Sequence, residues 1–439
     1  MIKVIVFLFC FFVSVAQAKL FDIQEFYLEN GLRVLVVPNH KAPVVKLMLW
    51  YKVGSVDEPL GKGGLAHLLE HLMFRGTKKV KDSDFNNIIT AHGGSNNAFT
   101  SHDFTVYYEF LDISRLEVAL ALEADRMQNL LISDEAFETE RKIVLQERKQ
   151  RVSNSPFARF NEVLEHTLWQ KNPYSRPITG LETEINSLTK EDAIAFYNNY
   201  YSPDNAVLIL AGDIELDVAK RVVGKHFSKI SNKNKNNNLV EFTETPNTSF
   251  RITQQAEEIK QARYIKKYIM PNYKNNMQQT FALMLFSNYF GETENSYLAR
   301  KYVLTNKLIA AQSNYSAFKR GQNNFVISVV PNENLDIEDM VEEALLSALN
   351  DFTEEKLEEE KKKILASLVY LQDDPETSAS IVGSFAALGF SVEDIENYAQ
   401  YIKDVKLDDV KDAVSFLQMK SANVKAWLLP YVIKGDNDA

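Results

Sequence analysis

His67 and His71 stand four residues apart, with Glu70 beside the second, in the run Gly63-Gly64-Leu65-Ala66-His67-Leu68-Leu69-Glu70-His71-Leu72-Met73-Phe74. On a helix, positions i and i+4 lie one above the other on the same face. The two imidazoles can therefore aim at a single ion, and Glu70 lies within reach of a water held there. This is the H-x-x-E-H order, the reverse of the H-E-x-x-H zinc peptidase signature. Imidazole nitrogen suits zinc, and a catalytic zinc typically has three protein ligands and one open position. A third ligand, His, Asp or Glu, must come from elsewhere in the chain.

The segment Ser133–Arg148 offers Glu140 and Glu147, two turns apart and so on one helix face. Ile143 and Val144 between them read as a buried stripe, and a carboxylate flanked by core residues needs a partner. The bland alternatives are a solvated histidine pair and a charged surface on which Arg141, Lys142 and Arg148 neutralise the glutamates.

The elements that must position these groups belong to a chain of 439 residues, 45% hydrophobic and 25% charged, which is ordinary for a globular protein. That length exceeds one comfortable core, so two domains are expected. A net charge of −10 without a long basic patch argues against nucleic acid as a partner. Lys3, an apolar run from Val4 to Val15 and then Ala16-Gln17-Ala18 read as a signal peptide over 1–18, with a retained anchor as the rival reading. The run is too short to span a bilayer comfortably. Its Cys10 is the only cysteine, so a mature chain has neither disulfides nor thiolate ligands, and any zinc must rest on His and carboxylate. No later segment reaches transmembrane length. The mature protein is expected to be periplasmic or secreted, without stable membrane insertion.

Alternation predicts strands over 22–28 and 32–37 joined by a turn at Asn30-Gly31, then a strand over 44–53. Helical periods follow at 63–75 and 83–91, a strand at 105–111, helices at 113–130, 133–151, 156–169 and 189–199, and a strand at 206–211. The polar run Ser231–Asn238 reads as part of a linker over 231–246. Beyond it the order restarts: a strand at 262–270, helices at 278–290 and 294–306, a strand at 324–330, helices at 337–350 and 353–372, and a strand at 423–429. Thr189-Lys190-Glu191-Asp192 and Lys406-Leu407-Asp408-Asp409 each open a helix leading to a strand, a weak echo of duplication.

The run from Gly63 to Thr77 closely resembles the active-site segment of the pitrilysin/insulinase-type metallopeptidases, in the branch of the mitochondrial processing peptidase and its bacterial relatives. Gly94–Thr100 with Asp103–Tyr108 resembles the family's edge-strand region, and Glu140 through Glu147 its third-ligand helix. Asn172–Gly180 and Tyr200–Ala206 resemble two further markers, in the same order. The resemblance implies that His67, His71 and Glu147 bind one zinc ion, that Glu70 is the general base, and that Glu140 orients the site without binding the ion. It also implies that peptide adds as a strand along Asn97, Ala98 and Phe99, with Phe74 in a pocket beside the metal. The fold expected is α+β: two homologous domains, 19–230 with the zinc and 247–439 without, each a mainly antiparallel β-sheet packed against helices, arranged as a clam-like chamber.

One departure alters this reading. Members that act alone usually carry an Arg and a Tyr seven residues apart in the second half. Aligning Leu308-Ile309-Ala310 with the family's Leu-Ala-Tyr puts Val303 and Ala310 at those places, and Arg300 and Tyr302 are at the wrong spacing. Neither Val nor Ala donates a hydrogen bond to an oxyanion. The expectation is a zinc-bearing subunit of a heterodimer, whose homologous partner supplies the Arg/Tyr pair. A slipped alignment or a homodimer is the plainer account, and a non-catalytic scaffold of the same family is the rival function.

Overall fold

The computed structural model describes residues 19–81, 84–233, 240, 242, 248–332, 336–419 and 421–431. Residues 1–18, read as a signal peptide, and most of the 231–246 stretch, read as a linker, lie outside them. Among the described residues no helix is long and apolar enough to cross a membrane.

Strands β1 (Gln24–Tyr27), β2 (Arg33–Pro38), β3 (Val44–Tyr51), β4 (Ser95–Thr100), β5 (Thr105–Asp112) and β6 (Ala206–Gly212) form one sheet in the order β1-β2-β6-β3-β5-β4. Only β2 and β6 pair in parallel. The Asn30-Gly31 turn joins β1 to β2 as expected. Strand β6 enters the middle of the sheet, and all seven of its residues are buried. That continuous apolar run is what a strand covered on both faces requires.

Strands β7 (Phe250–Ala256), β8 (Arg263–Met270), β9 (Leu308–Ser316), β10 (Asn323–Pro331) and β11 (Asn423–Pro430) form the second sheet, in the order β7-β11-β8-β10-β9. Setting β1 aside, the two sheets have the same order, including a parallel outer pair, here β7 with β11. The chain is therefore two α+β halves of one design. Strands β7 and β9 were not anticipated. The expected 294–306 helix is shorter, running over 297–303 and wound as a π-helix across Ala299–Val303, and Asn306 at φ 59° turns the chain into β9.

One face of the first sheet packs on α1 (Leu65–Leu72), through Leu47, Leu49, Leu65, Leu68 and Leu69. Along the chain there follow α2 (Asp84–Ala91), α3 (Leu116–Asn129), α4 (Asp134–Arg148) and α5 (Pro156–Trp169). The other face is covered from the far half: Leu35, Trp50 and Ile209 meet Ala379, Val382 and Ala386 of helix Pro375–Ala387. A Cβ on Gly383 would sit 2.2 Å from Trp50 Nε1, so only glycine lets that helix lie against the indole. In return, Phe160, Leu164 and Leu168 of α5 cover Ile265, Val424 and Leu428 of the second sheet. The halves thus exchange a helix. Polar pairs reinforce the closure, with Arg320 donating to Asp57 at 2.7 and 3.0 Å, Lys46 meeting Glu376 and Lys267 meeting Glu165.

Candidate metal centre

Helix α1 turns Leu65, Leu68, Leu69 and Leu72 into the core, which leaves His67, Glu70 and His71 to face a cleft. Its N-terminus is fixed by the buried Glu58, whose carboxylate accepts from the backbone N–H of Gly64 at 3.1 Å and of Ala66 at 2.8 Å. Gly64 adopts φ 85°, and a Cβ on Gly180 would lie 2.3 Å from the Gly63 carbonyl. Bare backbone on backbone is what holds the 177–180 loop against the start of α1.

Helix α4 begins at Ser133, whose side chain accepts from Ala136 N–H at 3.0 Å. It presents Glu140 and Glu147 towards α1. Val144 between them is buried as expected, but Ile143 is 38% exposed: it sits on the solvent side of the helix, outside the stripe assigned to it. One Glu147 carboxylate oxygen lies 3.6 Å from His67 Nε2 and the other 3.9 Å from His71 Nε2. Two imidazoles 4.9 Å apart and nearly perpendicular complete the group.

These side chains fit a zinc ion. Bonds of about 2.1 Å at tetrahedral angles set ligand atoms about 3.4 Å apart, close to the observed spacing and too long for hydrogen bonds. Glu147 Oε2 is buried without a hydrogen-bond partner, a cost that a cation removes. Burial, followed by the neighbouring His71 and Arg151, pushes the His67 pKa down to about 3, so its ring is neutral and keeps a lone pair. His71 Nδ1 donates to Glu140 Oε2 at 2.8 Å, which leaves Nε2 free to face the ion. Arg75 grips the same Glu140 carboxylate. Burial alone would raise the Glu140 pKa, but the bonds from His71 and Arg75 bring it below its ordinary value.

Glu70 Oε2 accepts from Thr100 Oγ1 at 2.5 Å, and burial raises the Glu70 pKa despite that bond. A carboxylate shifted upward in this way is better matched to taking a proton near neutrality. Thr100 ends β4, the outer strand of its sheet. The Ala98 N–H donates to the Asn97 side chain at 2.8 Å instead of to β5, so the groups of Ala98 point off the free edge. Phe99 turns outward and packs edge-on against Trp50. Phe74 packs edge-on against Phe85, with the Arg126 guanidinium 5.0 Å from its ring.

His67, Glu70, His71, Phe74, Asn97, Ala98, Phe99, Glu140 and Glu147 all line this one cleft of about 700 Å³. Arg75, Thr100, Arg151 and the capping Glu58 were not anticipated. Arg75 lies four residues after His71, and Thr100 two after Ala98 in the strand alternation, so both had a readable signal; Glu58 had none. Every residue lining the cleft falls between His67 and Thr179. Val303 is half-buried against the second core and Ala310 is exposed on β9, so neither reaches it. Arg300 donates to the Asn295 carbonyl and Tyr302 is buried.

Residues 33–182 match the family described as Insulinase (Peptidase family M16), and residues 187–364 match the Peptidase M16 inactive domain. Zinc protease PqqE of Helicobacter pylori is 29% identical over 404 residues, 90% of each chain. A probable mitochondrial-processing peptidase subunit beta of Schizosaccharomyces pombe is 32% identical over 46% of this chain and 44% of its own. Insulin-degrading enzyme of Bos taurus is 32% identical over 50% of this chain and 22% of its own. Among solved structures, a protease from Helicobacter pylori superposes with a TM-score of 0.86 at 25% identity, covering 93% of this chain and 99% of that one. The periplasmic protease PqqL of Escherichia coli gives 0.79 at 18% identity, over 94% of this chain and 48% of that one, a likeness of fold alone.

Proposed function

Because this chain belongs to the M16 (insulinase) family of peptidases, we propose that it is a zinc-dependent endopeptidase of the inverted H-x-x-E-H type, acting on short or unfolded peptides. The observation that carries this is the Glu147 carboxylate, which faces two imidazole nitrogens and has one buried oxygen without a hydrogen bond, with Glu70 alongside. His67, His71 and Glu147 hold the ion, and Glu140 fixes the ring of His71. When bound, zinc lowers the pKa of water and polarises a carbonyl. Glu70 takes the proton of the attacking water and returns it to the leaving amine. A peptide laid along β4 displaces the Asn97 side chain from the Ala98 N–H and gains main-chain bonds, which read backbone more than sequence. Phe74 offers an apolar wall to the side chain beside the cut.

The cleft has no donor from the second half, which supports the finer reading of a zinc-bearing subunit whose homologous partner supplies the Arg/Tyr pair. The signal-type run at 1–18 supports work in the periplasm. The test is zinc content together with chelator-sensitive cleavage of an unfolded peptide, by the chain alone and with a candidate partner. One ion per chain, with turnover that needs the partner, is expected. Full turnover alone sinks the two-subunit reading, and a chain that takes up no zinc is a scaffold.

A further inference from the structure

A second cavity of about 290 Å³ lies between the halves and shares Ile178 and Thr179 with the metal cleft as a common wall. Helix α5 contributes Glu162 and Glu165, and the 317–322 loop contributes Lys319. Each carboxylate already has its own cation. Arg148 donates to Glu162 at 2.9 and 2.8 Å, while Lys267 and the Trp169 indole N–H hold Glu165. Lys319 differs. Among the described residues its ammonium makes no ion pair and no hydrogen bond, and it faces the rings of Tyr174 at 5.0 Å and Trp169 at 5.5 Å. Burial lowers its pKa; Glu165 and Asp103 oppose this from a distance and Lys267 adds to it. Lys319 is thus a second ammonium beside a Glu165 already paired with Lys267, with Asp103 acting only from a distance, in a buried pocket where an added anion is held more strongly than in water.

The pocket is also within reach of substrate. Thr100 lines the metal cleft and His102, two residues on, lines the second cavity. Strand β4 ends at Thr100 and His102 stands in the turn that follows, so a peptide strand paired with β4 and continuing past Thr100 is directed towards the second cavity. We propose that the second cavity is a carboxylate-binding subsite for the peptide, with the Lys319 ammonium, framed by Trp169 and Tyr174, as its anchor. The subsite rests on the peptidase reading above and adds to it a preference for an acidic group a few residues from the scissile bond.

Binding to the zinc-loaded Glu70→Gln full chain separates this from catalysis. The probes are unfolded, C-terminally amidated peptides in which one Glu is scanned along the sequence, the all-Gln parent, and that parent with a free C-terminal carboxylate. A Glu at one position is expected to tighten binding about tenfold over the parent. Lys319→Met removes the difference and Lys319→Arg keeps it, with zinc content reporting that each variant is folded. A gain confined to the free-carboxylate peptide assigns the same pocket to a chain terminus. Equal affinities throughout, or a preference that survives Lys319→Met, overturn the subsite and leave the peptidase reading standing. Acid-dependent binding with no cleavage by the wild-type chain, whether alone or with its partner, overturns the peptidase reading alone.

Discussion

The helix that follows β3 and the helix that follows β8 occupy corresponding places in two sheets of the same strand order, yet only one of them can do chemistry. Helix α1 buries its leucines on one side and turns His67, Glu70 and His71 to the cleft. Its counterpart, Met277–Ser287, buries Thr280, Phe281, Ala282, Leu283, Leu285 and Phe286 on nearly every side and contains neither histidine nor carboxylate. The outer strands differ in the same way: β4 borders the cleft through Asn96 to Thr100, while Ala310 of β9 is exposed and takes no part in lining it. A duplicated strand order does not by itself make a site. The site forms where a helix keeps one polar face beside a free strand edge, and the other copy of the plan has filled that space with apolar side chains.

The sharpest way to break this contrast is Glu70→Gln. Cleavage is expected to fall by about 10² to 10⁴-fold with zinc content unchanged; residual cleavage near the wild-type rate moves the chemistry away from α1. Second, the exchanged helices tie the halves together in stability. Leu164→Ala, in the first half but under the second sheet, is expected to cost about 2–5 kcal/mol and to lower one shared unfolding transition. Two separate transitions divide the halves instead.

A third prediction concerns the seam between them. His102 is bonded to the Arg176 carbonyl, and burial, followed by the charge of Lys319, brings its pKa from 6.5 down to about 4. The unfolded chain therefore binds a proton that the folded chain refuses between those values. Stability is complete above about pH 6.5 and is lost on the order of 2–3 kcal/mol as pH falls towards 4. Denaturant titrations of the wild type and of His102→Gln, compared across that window, check the sign: the variant's slope is the flatter. Smallest is Glu140→Ala, which frees the His71 ring and is expected to weaken zinc binding about 10 to 100-fold in competition with a chelator. An unchanged affinity makes Glu140 a mere partner of Arg75.

The grouping of the candidate ligands in one cleft was legible because their spacing is local: His67, Glu70 and His71 fall within one helical turn, and Glu140 and Glu147 within two. The reading of Phe74, Asn97, Ala98 and Phe99 came from the resemblance, and all four line the same cleft. Strand β7 was missed because its side chains alternate between half-buried and exposed with little apolar weight, and β9 because Ala310, Gln312 and Asn314 are poor strand formers on an outer edge. The exchange of α5 and helix Pro375–Ala387 was beyond reach for another reason. An apolar stripe says that a helix is covered but not by which sheet.

That exchange sets an order on the folding of the chain. Lys46 finds Glu376 across 330 residues of sequence, and Leu35 and Trp50 wait for Val382. Until the last quarter of the polypeptide has arrived, one face of the first sheet has no cover. Contacts so distant along the chain form slowly, and the exposed sheet is open to aggregation in the interval. A nascent chain that stops short of residue 387 is therefore expected to be a client for a chaperone, however complete its set of candidate metal ligands.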